Sequence, residues 1–158
     1  KCEKQDISIS AHSHPISTLK LNGDGTLVAS ASSLGTVVKL FETNTGKFIG
    51  QLRRGTLAAE IQSIAFSPNS QPVAVSSSKG TIHIFSTKKL KTSVSELRSE
   101  MKTTCTSLLA PVLSFASNTT LHAASITGTV ATFSINETNK SITCTSTESF
   151  AELIATKS

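Results

Sequence analysis

Tryptophan and tyrosine are absent from this chain of 158 residues, and its large aromatics are seven phenylalanines. Proteins that grip single-stranded nucleic acid use exposed aromatic platforms. The phenylalanines recur at strand positions suited to a core, so no nucleic-acid partner is expected. Cysteine is scarce: Cys2, Cys105 and Cys144 are widely spaced and odd in number. No CxxC pair occurs, so neither a zinc site nor a disulfide framework is indicated, and a reducing compartment is the natural setting. No apolar run approaches the roughly 20 residues of a membrane span, so any membrane contact is expected to be peripheral. The first residues, Lys1 to Asp6, contain no apolar signal-peptide core and no initiator Met. Paired-carboxylate motifs, phosphate-cradling glycine loops before a helix and metal-spaced His/Cys sets are missing too. Hence no enzyme activity, cofactor or metal is expected. Acidic residues are few, ten against fifteen Lys and Arg, which leaves a net charge of +5. That balance suits either plain solubility or an anionic partner.

What is present is a repeat. Ser30–Phe41, Ser76–Phe85 and Ala124–Phe133 each run through small residues, a Gly-Thr pair and a β-rich stretch. A period of about 40–45 residues with several strands per unit marks propeller blades. The first unit reads as strands Ile16–Leu21, Thr26–Ser32, Gly35–Glu42 and Lys47–Leu52, separated by turns at Asn22–Gly25 and Thr43–Gly46. The second supplies Ile61–Phe66, Val73–Ser77 and Thr81–Ser86. The third supplies Val112–Phe115, Leu121–Ser125, Thr129–Ile135 and Ser141–Thr147. The expected fold is all-β, a β-propeller of four-stranded antiparallel blades, with blades at 11–55, 56–108 and 109–150. A polar, basic loop over 86–104 interrupts the second blade, and Val94–Met101 is a helix candidate with Ser93 as its cap. Three blades do not close a ring, so a partial ring from a longer protein is the expectation.

Leu52-Arg53-Arg54-Gly55 ends the first unit. Successive side chains on an extended backbone point to opposite sides. Two adjacent guanidiniums can therefore serve two separate anion sites, one on each flank, and each is a planar fork suited to phosphate oxygens. Two arginines at a strand end also suit plain solvation.

The aligned repeats, together with Ala11-His12-Ser13-His14-Pro15-Ile16, the Leu-Arg-Arg-Gly signature and Ser78-Lys79-Gly80-Thr81-Ile82-His83-Ile84-Phe85, resemble the PROPPIN family. The resemblance runs from His12 to about Phe150 and is to the last three blades, in the Leu-Arg-Arg-Gly branch. It implies a seven-bladed WD-repeat-like propeller that binds phosphatidylinositol 3-phosphate and phosphatidylinositol 3,5-bisphosphate. It also implies autophagy protein partners and a cytoplasmic protein, peripheral on phagophore, endosomal, vacuolar or lysosomal membranes. Carried over by position, site one would use Arg53 with His12, Ser30 and Ser32. Site two would use Arg54 with Ser77, Lys79, Thr81 and His83. The family's membrane-inserting loop would correspond to the stretch holding Lys88, Lys89, Leu90 and Lys91, where the lysines act electrostatically and insertion is shallow. Leu34 stands where the family usually has a basic residue, which weakens site one, while Lys39 keeps some positive charge nearby. His83 also suits a structural role between blades, and the basic loop also reads as solvated chain. His14 reads as a surface residue. The alternative function is a WD-repeat scaffold that contacts proteins without binding lipid.

Overall fold

A computed structural model describes residues 6–91, 95–105 and 107–155, and the side chains of all of these but 89, 91 and 153–155. In chain order the strands are β1 (Ile16–Leu21), β2 (Leu27–Ser32), β3 (Val37–Glu42), β4 (Phe48–Arg53), β5 (Ile61–Phe66), β6 (Pro72–Ser77) and β7 (Thr81–Ser86). A 3-10 turn at Thr87–Lys91 leads to β8 (Glu96–Arg98), followed by β9 (Met101–Thr104), β10 (Val112–Phe115), β11 (Thr120–Ala124), β12 (Thr129–Asn136) and β13 (Ser141–Ser149). A short helix α1 (Phe150–Ala155) ends the described chain. The sheets run β1-β2-β3-β4-β8, β5-β6-β7-β9 and β10-β11-β12-β13. Within each, four strands meander antiparallel, as a partial β-propeller requires. Strand ends shift by a residue or two from the sequence expectation; β4, for example, includes Arg53.

Alternation sorts each strand into two faces. One face of the first sheet presents Ala29, Ala31, Val38, Leu40 and Leu52, and these meet Ile61, Ile64, Val73, Val75 and Phe85 of the second. A second junction joins Ile82, Ile84 and Met101 to Leu113, Leu121, Ala131 and Phe133 of the third. Phe85 and Phe133 are buried, and Phe66 and Phe115 pack on the two junctions. Polar atoms also cross the seams. Thr18 Oγ1 donates to Ile61 O at 2.8 Å, Ser76 Oγ to Pro111 O at 2.6 Å, and Leu113 N to Ser63 Oγ at 3.0 Å. Buried Asn22 donates to Ser70 Oγ across the first seam at 3.1 Å.

The expected helix at 94–101 is not formed. Val94 lies outside the described residues, and Glu96–Arg98 is a strand that adds to β4 in parallel. Two forces favour this. The outer edge of β4 offers an unpaired row of backbone groups, and Gln51 N donates to Ser95 O at 2.7 Å. An isolated helix of two turns is also marginal in water. Leu97 then packs on the first core, beside Leu90, which is itself buried. Gly50 makes room: a Cβ there would lie 2.6 Å from Leu90 Cδ2.

Gly35 illustrates how tightly the turns fit between sheets. Its φ is +61°, and a Cβ there would overlap Ala59 O, whereas Gly25, with φ +73°, faces open space. Gly25→Ala is expected to cost about 1 kcal/mol, the left-handed penalty alone. Gly35→Ala should cost roughly 3 kcal/mol or more, because backbone must also move. Urea unfolding midpoints for the two variants check the difference.

Candidate functional site

β4 carries the arginine pair to the end of the first sheet, where the two side chains part. Arg53 shares a face with Gln51 and Lys39, which the pairing aligns with Ser30 in one row across β2, β3 and β4. Arg54 belongs to the opposite face, turned to the second sheet. Its Nε donates to Gly35 O at 2.7 Å and its Nη2 to Leu57 O.

On the Arg53 face, His12 Nε2 lies 3.0 Å from Ser30 Oγ and 3.2 Å from Ser30 O. Lys39 Nζ donates to Ala11 O at 2.7 Å, tying the leading segment to the sheet. Ser30 and Ser32 are buried. Burial lowers the His12 pKa, opposed by its backbone bond to Ser30, and Lys39 lowers it further. His12, Ser30 and Lys39 thus come together as a cluster. Arg53, on the same face, is bonded to a partner that no sequence motif announces. Its Nε and Nη2 donate to Glu96 Oε1 and Oε2, both at 2.7 Å, and Gln51 Nε2 donates to Oε2 as well. The Arg53 bond and then the Gln51 bond hold the Glu96 carboxyl down at about 2, and the same bond raises Arg53.

On the Arg54 side, Ser77, Thr81 and His83 share the face of the second sheet that looks at the first. Ser77 Oγ and Thr81 Oγ1 are 3.3 Å apart. His83 is buried, stacks on Phe85 with ring centroids 6.3 Å apart, and shares a 3.1 Å hydrogen bond through Nδ1 with Ser99 Oγ. Burial first, then the charges of Arg54 and Lys102, pull its imidazole from 6.5 down to about 4. Burial also lowers Arg54. Lys79 stands exposed on the β6–β7 turn, between Ser77 and Thr81 in the chain. Ser99 and Lys102 are two further members that sequence reasoning missed. Lys102 pairs with His83 on β9, and Thr104 with Thr81. Every member of this group is a hydroxyl, imidazole or cationic donor, a composition that suits a phosphate.

The two sheets are related in register. Ser30 pairs with Lys39, and Val75 with His83. Ser30 and Val75 each precede the equivalent serines Ser32 and Ser77 by the same step. Lys39 therefore occupies in the first sheet the place of His83 in the second. By the same register Thr104 and Cys105 occupy the places of Arg53 and Arg54, so the second junction lacks the arginine pair.

The loop residues behave differently from one another. Lys88 Nζ bridges to Glu137 Oε2 at 2.8 Å while keeping half of its side chain exposed. Leu90 is turned inward. The side chains of Lys89 and Lys91 lie outside the described residues. His14 is exposed. Among the described residues no helix is long and apolar enough to cross a membrane.

Comparison with known proteins bears on this geometry. The PROPPIN family model matches residues 2–119. The chain belongs to the PROPPIN family. It is 46% identical over 82 residues to autophagy-related protein 18 of Vanderwaltozyma polyspora, an alignment covering 52% of this chain and 15% of that protein. It is 48% identical over 82 residues to ectopic P granules protein 6 of Caenorhabditis elegans, covering 52% and 21%. Against SVP1-like protein 2 of Saccharomyces cerevisiae it is 46% identical over 77 residues, covering 49% and 17%. The aligned part is thus about a fifth or less of these PROPPIN relatives. Among solved structures, Kluyveromyces marxianus Hsv2 superposes with a TM-score of 0.80 at 23% identity, covering 90% of this chain and 48% of that one. The complex of KlAtg21 with the coiled coil of AgAtg16 superposes with a TM-score of 0.73 at 21% identity, covering 89% and 43%. These establish the PROPPIN fold over nearly all of the chain.

The depressed His83 gives a pH signature. The folded imidazole stays neutral down to about 4, whereas an unfolded one takes its proton near 6.5. Stability from neutral His83 is therefore complete above 6.5 and declines as pH falls toward about 4. Glu96 acts in a lower window: its contribution is complete above 4.5 and is lost as pH falls through about 2. Urea midpoints should drop between about pH 6.5 and about pH 4, and His83→Gln should flatten that slope. NMR titration of the His83 ring reads the folded value directly.

Proposed function

We propose that this chain is the lipid-reading part of a PROPPIN propeller that binds phosphoinositides at membrane surfaces and acts as an effector or scaffold in autophagosome formation or endolysosomal trafficking. One observation carries the reading: Arg53 and Arg54 diverge to opposite faces of β4, and each face holds its own cluster of hydroxyl and basic side chains. Site one comprises Arg53, His12, Ser30 and Ser32 with Lys39. Site two comprises Arg54, Ser77, Lys79, Thr81 and His83, joined by Lys102 and Ser99. The ligands are phosphatidylinositol 3-phosphate and phosphatidylinositol 3,5-bisphosphate, whose phosphomonoesters carry more charge than ordinary lipid diesters. Lys88, Lys89 and Lys91 add attraction to an anionic leaflet, each worth roughly 1 kcal/mol. Leu90 contributes packing instead while the loop keeps this conformation. The three sheets would form part of a larger ring, consistent with the short span of the aligned relatives. The relatives named for autophagy support the cellular role.

Site two is the stronger of the pair. Arg54 lies against neutral carbonyls, with no acid on it among the described residues, whereas Arg53 is already paired. A protein-scaffold role is favoured by a groove of about 780 Å³ along the first junction, lined by Phe48, Ile49, Phe66 and Leu90 with Lys47 and Glu42 at its edge. The solved complex of Atg21 with an Atg16 coiled coil supports protein partners for this fold.

Vesicle co-sedimentation with and without phosphatidylinositol 3-phosphate tests the reading. Arg53→Thr combined with Arg54→Thr should abolish lipid-dependent binding. Arg54→Thr alone should remove most of it, and Arg53→Thr alone much less. Unchanged binding in the double variant, with partner capture retained, would replace this reading by the scaffold.

A further inference from the structure

The carboxylate of Glu96 occupies the position from which an anion would engage Arg53. It is delivered there by backbone. β8 pairs with β4 at Gln51↔Glu96, Leu52↔Leu97 and Arg53↔Arg98, and Leu97 anchors the strand in the first core. The carboxylate takes two bonds from the Arg53 fork and one from Gln51. Arg53 and Glu96 keep 29% and 33% of their side chains exposed, so a ligand can reach the pair. Among the described residues Arg54 has no such partner; its guanidinium donates to the backbone carbonyls of Gly35 and Leu57. Two arginines adjacent in sequence therefore present different charges to an incoming anion.

We propose that Glu96 is an affinity-determining residue of site one, a tethered competitor that holds Arg53 until a phosphate headgroup displaces it. The proposal rests on the phosphoinositide reading of the paired sites. To bind Arg53, a ligand must replace a bidentate carboxylate held in place by its own chain. A phosphodiester brings a single negative charge over two oxygens, much as the carboxylate does, and must compete against the high effective concentration of a tethered group. A phosphomonoester brings about −1.5 to −2 charges and three acceptor oxygens. It gains more from Arg53 than Glu96 does. Arg98, next to Arg53 in register, adds a second cation for the extra charge once the carboxylate is displaced. Among the described residues site two has no tethered acid on its arginine and so lacks this competitor.

The test compares wild type, Glu96→Gln, Glu96→Ala, Arg53→Gln and the double variant Glu96→Gln with Arg53→Gln, in the full chain. Vesicles of phosphatidylcholine doped with phosphatidylglycerol or with phosphatidylinositol 3-phosphate present the diester and the monoester on a bilayer. Glycerophosphoinositol and its 3-phosphate present the same two chemistries in solution. Both Glu96 variants should raise diester binding about two- to fivefold, the range that an exposed ion pair spans. They should raise monoester binding at least as much, because the displacement cost is common to both ligands and the more highly charged one gains more from losing a nearby carboxylate, and both gains should vanish in the double variant. The same gains in solution assign the effect to the headgroup; their absence in solution overturns the proposal. An equal gain from Glu60→Gln, an exposed acid outside the cluster, would reduce the effect to net charge and overturn it too. Equal binding by wild type and Glu96→Gln overturns the competitor and leaves the phosphoinositide reading standing. Absence of monoester binding in every variant removes the reading and the competitor together.

Discussion

Every sheet in this molecule has two faces, and a face rich in alanine, valine and leucine is stable only against another such face. The junction between the first two sheets meets that need by setting Val38, Leu40 and Leu52 against Val73, Val75 and Phe85. Once Leu52 is committed to the junction, the pleat dictates the direction of the next two side chains. Arg53 must turn away from the junction, and Arg54 must turn back to its rim. The division of charge between two clusters is thus a by-product of packing, and a one-residue slip of β4 would exchange the two arginines and expose Leu52. The residues that bind nothing fix the residues that carry charge.

The two clusters differ because their surroundings differ. At the junction rim, burial acts on both partners: it lowers Arg54 and, with Arg54 and Lys102, keeps His83 neutral. Positive charge is crowded there, and a bound anion would relieve the crowding. On the other face, the crowding is already relieved by Glu96, whose own carboxyl is depressed by the bonds it accepts. One site is therefore electrostatically unsatisfied and the other satisfied, although both begin from the same dipeptide.

Much of this architecture is legible in the sequence. The alternation and turn residues locate the core strands to within a residue or two, since period-two patterning and Gly/Asn turns are local signals. The arginine pair is visible as two adjacent cations at a strand end, and Ser77, Thr81 and His83 join it only through the family resemblance of the stretch around Gly80-Thr81. Other parts are not legible. The strand at Glu96–Arg98 is only three residues long, and its state depends on an unpaired edge some forty residues earlier, so its own pattern suggests a helix. The equivalence of Lys39 and His83 is hidden because the first sheet carries one more residue between glycine and strand, as the pairs Ser30↔Lys39 and Val75↔His83 reveal. Lys102 and Ser99 lie in a polar, basic stretch where nothing local separates a pocket lysine from a solvated one. The inward turn of Leu90 has no local signal either, because it depends on the bare backbone at Gly50.

The added strand also has a mechanical meaning. β8 leaves the second sheet after β7, joins the first sheet, and returns to the second as β9. The seam between the two sheets, already crossed once between β4 and β5, is therefore crossed twice more by covalent chain and fastened by a parallel ladder along its outer edge. A load that slides one sheet past the other pulls on the β4–β8 hydrogen bonds in shear, in addition to separating side chains. A comparable load at the seam between the second and third sheets meets the salt bridges of Lys88 with Glu137 and Lys140 with Glu100 and the hydrogen bonds of Ser76 to Pro111 and Leu113 to Ser63, but no shared strand among the described residues. If the ring flexes, the second seam is the compliant one, and the arginine pair rides on the stiffer half.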